Sequence, residues 1–220
     1  MNIKALIMGS VLVAATPAAW AIPSPSLDDG ADSAPAAATP GPADSAAYSE
    51  ALALMKQGDA LNAQSASDKS AAAEAQQAYT SARSKLQGLT ARSPQLAEAW
   101  NSLGYTQRQL GSYDDALASY ARALALKPGY PEALEYRGEA YLRLGRISDA
   151  KQAYLDLFAA NRKIATQFLD AIQVWVKQQQ GAKGADPAAV AELSHWAQER
   201  AQVASQTAAL TREGTAASWR

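Results

Sequence analysis

The chain has 220 residues, 48% of them hydrophobic, which is enough for one or two domains with a packed core. With 20 basic against 21 acidic side chains the net charge is −1, so nothing electrostatic points to nucleic acid or an anionic membrane as partner. Cysteine is absent and histidine occurs once, which excludes disulfides and leaves a zinc site one nitrogen ligand at most.

The N-terminus reads as a secretory signal peptide over residues 1–21. Lys4 supplies the positive start, residues 5–13 an apolar run, and Ala19-Trp20-Ala21 a small-x-small cleavage site. The apolar run is far shorter than the roughly 20 residues of a membrane span. No transmembrane segment is therefore expected after cleavage, and the expected location is an exported compartment, most simply a bacterial periplasm.

Residues 22–44 are rich in Pro, Ala, Ser, Gly and Asp, and cannot bury enough apolar surface to offset the entropy of ordering. They read as a disordered tether, and the same composition also suits a passive spacer. Residues 45–93 read as a degenerate helical hairpin. Tyr48, Ala51, Leu52 and Met55 recur at helical spacing, and Gly58 is expected to stop that helix. An insertion around residues 60–70 separates it from a firmer helix over 71–91, with Ala75, Ala78, Tyr79, Ala82, Leu86 and Leu89 on one side.

Residues 94–164 carry the same pattern twice. Trp100-Asn101-Ser102-Leu103-Gly104 lies 34 residues before Leu134-Glu135-Tyr136-Arg137-Gly138. The offset also relates Gly111 to Gly145, Asp115 to Asp149, Ala116 to Ala150 and Tyr120 to Tyr154. Gly111 is expected to end a helix in the left-handed conformation, Ser112 to cap the next, Pro128 to end that one and Pro131 to open another. A fixed period of this length signifies stacked helix–turn–helix units, none of which buries its apolar face alone.

Another 34 residues on, Phe168, Ile172 and Trp175 keep the apolar positions but put isoleucine where glycine stood. Residues 165–180 therefore read as a capping helix, with Lys163, Gln167, Asp170, Gln173 and Lys177 along its polar outer side. Residues 181–186 read as a linker. Asp186-Pro187 starts a last helix over 187–211, whose thin alanine line could fold back on the array, pair with another chain or dock loosely.

Trp100, Leu103, Gly104, Ala116, Tyr120 and Pro128 make residues 100–128 resemble a tetratricopeptide repeat, with Gln107 in place of its usual tyrosine. The second copy matches through Leu134, Gly138, Tyr141, Ala150 and Tyr154, and Arg162 replaces the proline. The resemblance implies an all-α, right-handed solenoid of helical hairpins. It comprises about two clear repeats and one degenerate repeat, with a capping helix and an extra C-terminal helix.

In that family the first helix of each hairpin lines a concave groove for a peptide or partner helix. Carried over by position, the groove residues are Glu98, Asn101, Tyr105, Arg108 and Gln109, then Glu132, Glu135, Tyr136, Glu139 and Arg143. Ser102, Glu132 and Tyr136 stand where a carboxylate-binding member would show asparagine, lysine and arginine, so no carboxylate clamp is expected. A partner presenting Lys or Arg, or a mixed apolar and polar surface at Tyr105 and Tyr136, fits better. A solvated, glutamate-rich helix face is the alternative.

No catalytic constellation, phosphate loop or calcium loop is visible, so neither an enzyme nor a cofactor is expected. The expected function is that of an exported adaptor binding a protein or peptide in envelope assembly, secretion or cell-wall maintenance. The alternative is a scaffold that forms homo-oligomers through its C-terminal helix.

Overall fold

The computed structural model describes residues 41–65, 67–182 and 185–216. The expected signal peptide and nearly all of the expected tether lie outside the described residues. Among the described residues there are eight helices and no strand: α1 (Pro42–Gln64), α2 (Lys69–Arg92), α3 (Ala97–Gln109), α4 (Tyr113–Leu126), α5 (Pro131–Arg143), α6 (Ile147–Ala160), α7 (Arg162–Gln179) and α8 (Pro187–Ala216). Each of α1/α2, α3/α4 and α5/α6 is an antiparallel hairpin, and the hairpins stack in chain order through α2 on α3 and α4 on α5. The all-α hairpin solenoid expected from the 34-residue period is the fold found.

Local chemistry sets the helix ends. Gly111 and Gly145 close α3 and α5 with φ of 78° and 68°, a conformation that costs residues bearing a Cβ. Pro131 opens α5 at its first turn, where its missing N–H would have no partner in any case. The Asp186 carboxylate accepts from the amides of Ala188 and Ala189 at 2.9 and 3.3 Å and so caps α8. Ser112 departs from expectation. It occupies the N-cap position of α4, but its hydroxyl makes no capping bond, and Asp114 and Asp115 in the first turn meet the positive end of the helix instead.

Gly58 is the larger correction. It does not end a helix, because α1 runs six residues further, to Gln64. Gly58 is buried, and the Tyr79 ring of α2 lies 2.7 Å from where its Cβ would be. Gly104 stands in the same relation to Tyr120, at 2.6 Å, and Gly138 to Phe168. A ring seated on bare backbone is thus the joint of the array, and the degenerate hairpin has kept it. The expected insertion supplies the last turn of α1 and the short connection to Lys69, so both helices of the first hairpin exceed 20 residues.

The third ring comes from α7 instead of α6, which explains how the array stops. Phe168, Leu169 and Ile172 are buried against Leu134, Leu142 and Leu157, while Lys163, Gln167, Asp170, Gln173 and Lys177 are exposed. Tyr154, released from the glycine, stacks with Phe158 and meets Trp196 of α8 edge-on at 5.2 Å. Val190, Leu193 and Ala197 complete that cluster, and Lys151 pairs with Glu192 at 2.5 Å. The C-terminal helix therefore folds back on its own array over its first half. From Gln202 to Thr207 its side chains are exposed or half-buried, Val203 at 41% among them.

Candidate groove on the inward helices

The inward residues come from α3 and α5, whose faces repeat because a 34-residue offset preserves position on equivalent helices. Aligning the buried glycines extends the set to α1: Asp59, Tyr105 and Glu139 each follow the ring-bearing glycine by one residue. The sequence does not mark Asp59 as a groove residue, because a glycine at 58 reads equally well as a helix stop.

Tyrosines run along this face. The Tyr79 hydroxyl donates to the Asp59 carboxylate at 2.6 Å, and Tyr105 donates to the same oxygen while accepting from Gln109 Nε2 at 2.9 Å. The Tyr105 and Tyr136 rings are 5.2 Å apart, and Tyr120 lies 6.3 Å from Tyr136. Burial, reinforced by the Asp59 carboxylate, pushes the Tyr79 and Tyr105 hydroxyls well above their ordinary pKa. Both stay neutral donors at any physiological pH.

Arg108 lies between two of these rings, its guanidinium 5.2 Å from the Tyr105 centroid and 5.3 Å from that of Tyr136. It reaches Glu139 of the next hairpin at 2.6 Å, with side-chain exposures of 11% for Arg108 and 26% for Glu139. Arg108 and Glu139 are thus committed to each other and hold α3 to α5. At the near end of the face Glu98 pairs with Lys127 at 3.0 Å, and the Tyr48 hydroxyl lies 3.1 Å from Ser102 Oγ. Arg143 is exposed at the end of α5. It borders a cleft of about 190 Å³ between α5 and α7 lined by Leu142, Val174 and Trp175.

Glu132 and Glu135 differ from the rest of the set. Both are partly buried and neither has an ion-pair partner among the described residues. Burial, then the neighbouring Glu139 and Glu132 carboxylates, push the Glu135 carboxyl up to about 7 against the pull of Arg108. Asn101, the equivalent of Glu135 on α3, is 7% exposed, and its buried Oδ1 has no hydrogen-bond partner. Its amide lies beside the Tyr130 hydroxyl, which also feels Glu132 and Glu98.

This arrangement offers hydrogen-bond acceptors and ring faces, and no group of His, Cys, Asp or Glu among the described residues is placed to hold a metal. His195 is exposed, with Nδ1 3.7 Å from the Glu199 carboxylate. No helix among the described residues is long and apolar enough to cross a membrane.

Comparison with known proteins agrees with the architecture. A family described as "TPR repeat" matches residues 106–145. An "Uncharacterized protein ycf37" of Guillardia theta is 34% identical over 77 residues, which cover 34% of this chain and 43% of that protein. A chloroplastic "Tetratricopeptide repeat domain-containing protein PYG7" of Arabidopsis thaliana is 32% identical over 88 residues, or 39% of this chain and 29% of that one. The chain thus spans less than half the length of the curated relatives it matches.

Proposed function

We propose that this chain, whose residues 106–145 match the tetratricopeptide-repeat family, is an exported, non-catalytic adaptor. Its inward face on α3 and α5 takes an extended segment of another protein. The observation that carries the reading is the contrast between the two parts of that face. Arg108 and Glu139 brace the hairpins, whereas Glu132, Glu135 and Arg143 have no ion-pair partner among the described residues. Export rests on the N-terminal pattern, with its short apolar run and Ala19-Trp20-Ala21. The chloroplastic location in one relative's name belongs to that protein and does not favour a bacterial envelope in particular. Envelope assembly, secretion and cell-wall maintenance remain the settings this reading favours.

The test is photo-crosslinking in the cell from positions 132 and 143, with position 122 on α4 as the control outside the inward face. A single foreign partner captured at both positions and absent from the control supports an adaptor. Capture at the control alone would remove the binding site from α3 and α5. Capture only of the same chain would favour the second reading, self-association through the outer half of α8, where Val203 is exposed.

A further inference from the structure

We propose that the cleft around Trp175, where α7 packs on α5, seats a bulky apolar side chain of an extended partner segment, with an adjoining aspartate or glutamate of that segment held by Arg143. The inference rests on the groove reading above and gives the far end of that groove a chemistry.

A helix that closes a repeat array keeps its uncovered face polar. Along Lys163, Gln167, Asp170, Gln173 and Lys177 α7 obeys that rule. Val174 breaks it at 54% exposure, and Trp175 beside it is only partly buried. Just past the end of α5, Leu144 is 36% exposed. Apolar residues scattered singly on a surface need no explanation, but these three border one depression. A cleft of about 190 Å³ bordered by Val174 and another of about 370 Å³ bordered by Leu144 share Leu142, Arg143 and Trp175.

The 34-residue offset shows why this depression is open. It makes Leu142 of α5 the equivalent of Arg108 of α3. Between α3 and α5, Arg108 lies against the Tyr105 and Tyr136 rings and bonds to Glu139, so the side chain closes the groove there. Between α5 and α7 the shorter, uncharged leucine makes no such bridge. The array repeats its groove once more and leaves it unbridged.

Charge selects the occupant. Glu139, Arg143 and Asp186 are the charged residues bordering the two clefts. Glu139 stands four residues before Arg143, the spacing of a helical ion pair, yet it bonds to Arg108 instead. The Asp186 carboxylate is taken by the amides of Ala188 and Ala189. Arg143 is exposed and enters none of the ion pairs among the described residues. Its guanidinium offers a carboxylate charge-assisted hydrogen bonds, while an apolar neighbour of that carboxylate removes Val174, Leu144 and Trp175 from water. A lysine or arginine in the same place would be repelled.

The probes are three blocked heptapeptides of glycine and serine around a central Asp-Phe, Lys-Phe or Asp-Ala pair. They are titrated into the full-length protein and followed by NMR at the Trp175 indole N–H, assigned with Trp175→Phe. The Asp-Phe peptide should shift that signal saturably, Lys-Phe should bind about fivefold more weakly, and Asp-Ala should leave the signal in place. Arg143→Gln and Val174→Asp alter exposed side chains and so keep the fold. Arg143→Gln should weaken Asp-Phe binding about fivefold and erase the preference over Lys-Phe, and Val174→Asp should abolish the shift. Equal affinity for Asp-Phe and Lys-Phe, or Asp-Phe binding unchanged in either variant, would overturn the proposal. If no peptide moves the signal while a partner still crosslinks from position 132, this proposal falls and the groove reading stands.

Discussion

Two residues show how tightly the array is specified. Gly104 lies where the Tyr120 ring needs bare backbone, and an added methyl would meet that ring 2.6 Å away. Tyr120 is fully buried and cannot swing out, so Gly104→Ala should destabilise the protein by about 1–3 kcal/mol through overpacking. Chemical denaturation of the single variant measures this, and the intact helix content of a residual fold would show by circular dichroism. Glu135 makes the opposite case, a native side chain that costs stability. Its folded pKa of about 7 lies above the ordinary carboxylate value of 4.5. Between those values the folded state holds the proton that the unfolded chain has released, so stability falls as pH rises through that window. Glu135→Gln should therefore leave thermal stability unchanged at pH 4 and raise it at pH 8. Because Glu135 is only partly buried, the gain is discounted to about 1 kcal/mol or less, which is about 2–4 °C at most for a chain of this size.

At the scale of the element, the docking of α8 is what a single substitution can undo. Leu193 is fully buried against the cap, and Leu193→Ala should cost about 2–5 kcal/mol of local stability. Release of Trp196 from Tyr154 would be read as a red shift of tryptophan emission, with α1 to α6 unaffected. The elements themselves were largely legible in sequence, because turn chemistry is local. Gly111, Gly145, Pro131 and Asp186 each announce a helix end through the backbone they demand. Gly58 misled because the same residue that ends a helix also admits a ring. The difference lay downstream, where Asp59-Ala60-Leu61-Asn62 continues as helix with no proline or second glycine to break it. The inward faces were legible from the 34-residue offset alone. That Arg108 is consumed by Glu139 was not, since the pair joins different hairpins and depends on how those hairpins stack.

On the scale of the whole molecule, a stacked array distributes stability through neighbour contacts, so damage should stay near its source. Phe168→Ala removes the ring that fills the space beside Gly138 and should cost about 3–5 kcal/mol. Hydrogen exchange should then quicken in α5 to α8, while amides of α1 and α2 keep their protection. Equal loss along the chain would mean that the hairpins unfold as one unit. The fold-back of α8 has a further consequence at this scale. Identical hairpins stacked head to tail never close on themselves, and a chain ending on a bare hairpin face is a subunit for an endless fibre. With Val190, Leu193 and Ala197 seated across the last helices, the face a following hairpin would need is covered by α8 of the same chain. A further hairpin stacking in that direction would first have to displace α8.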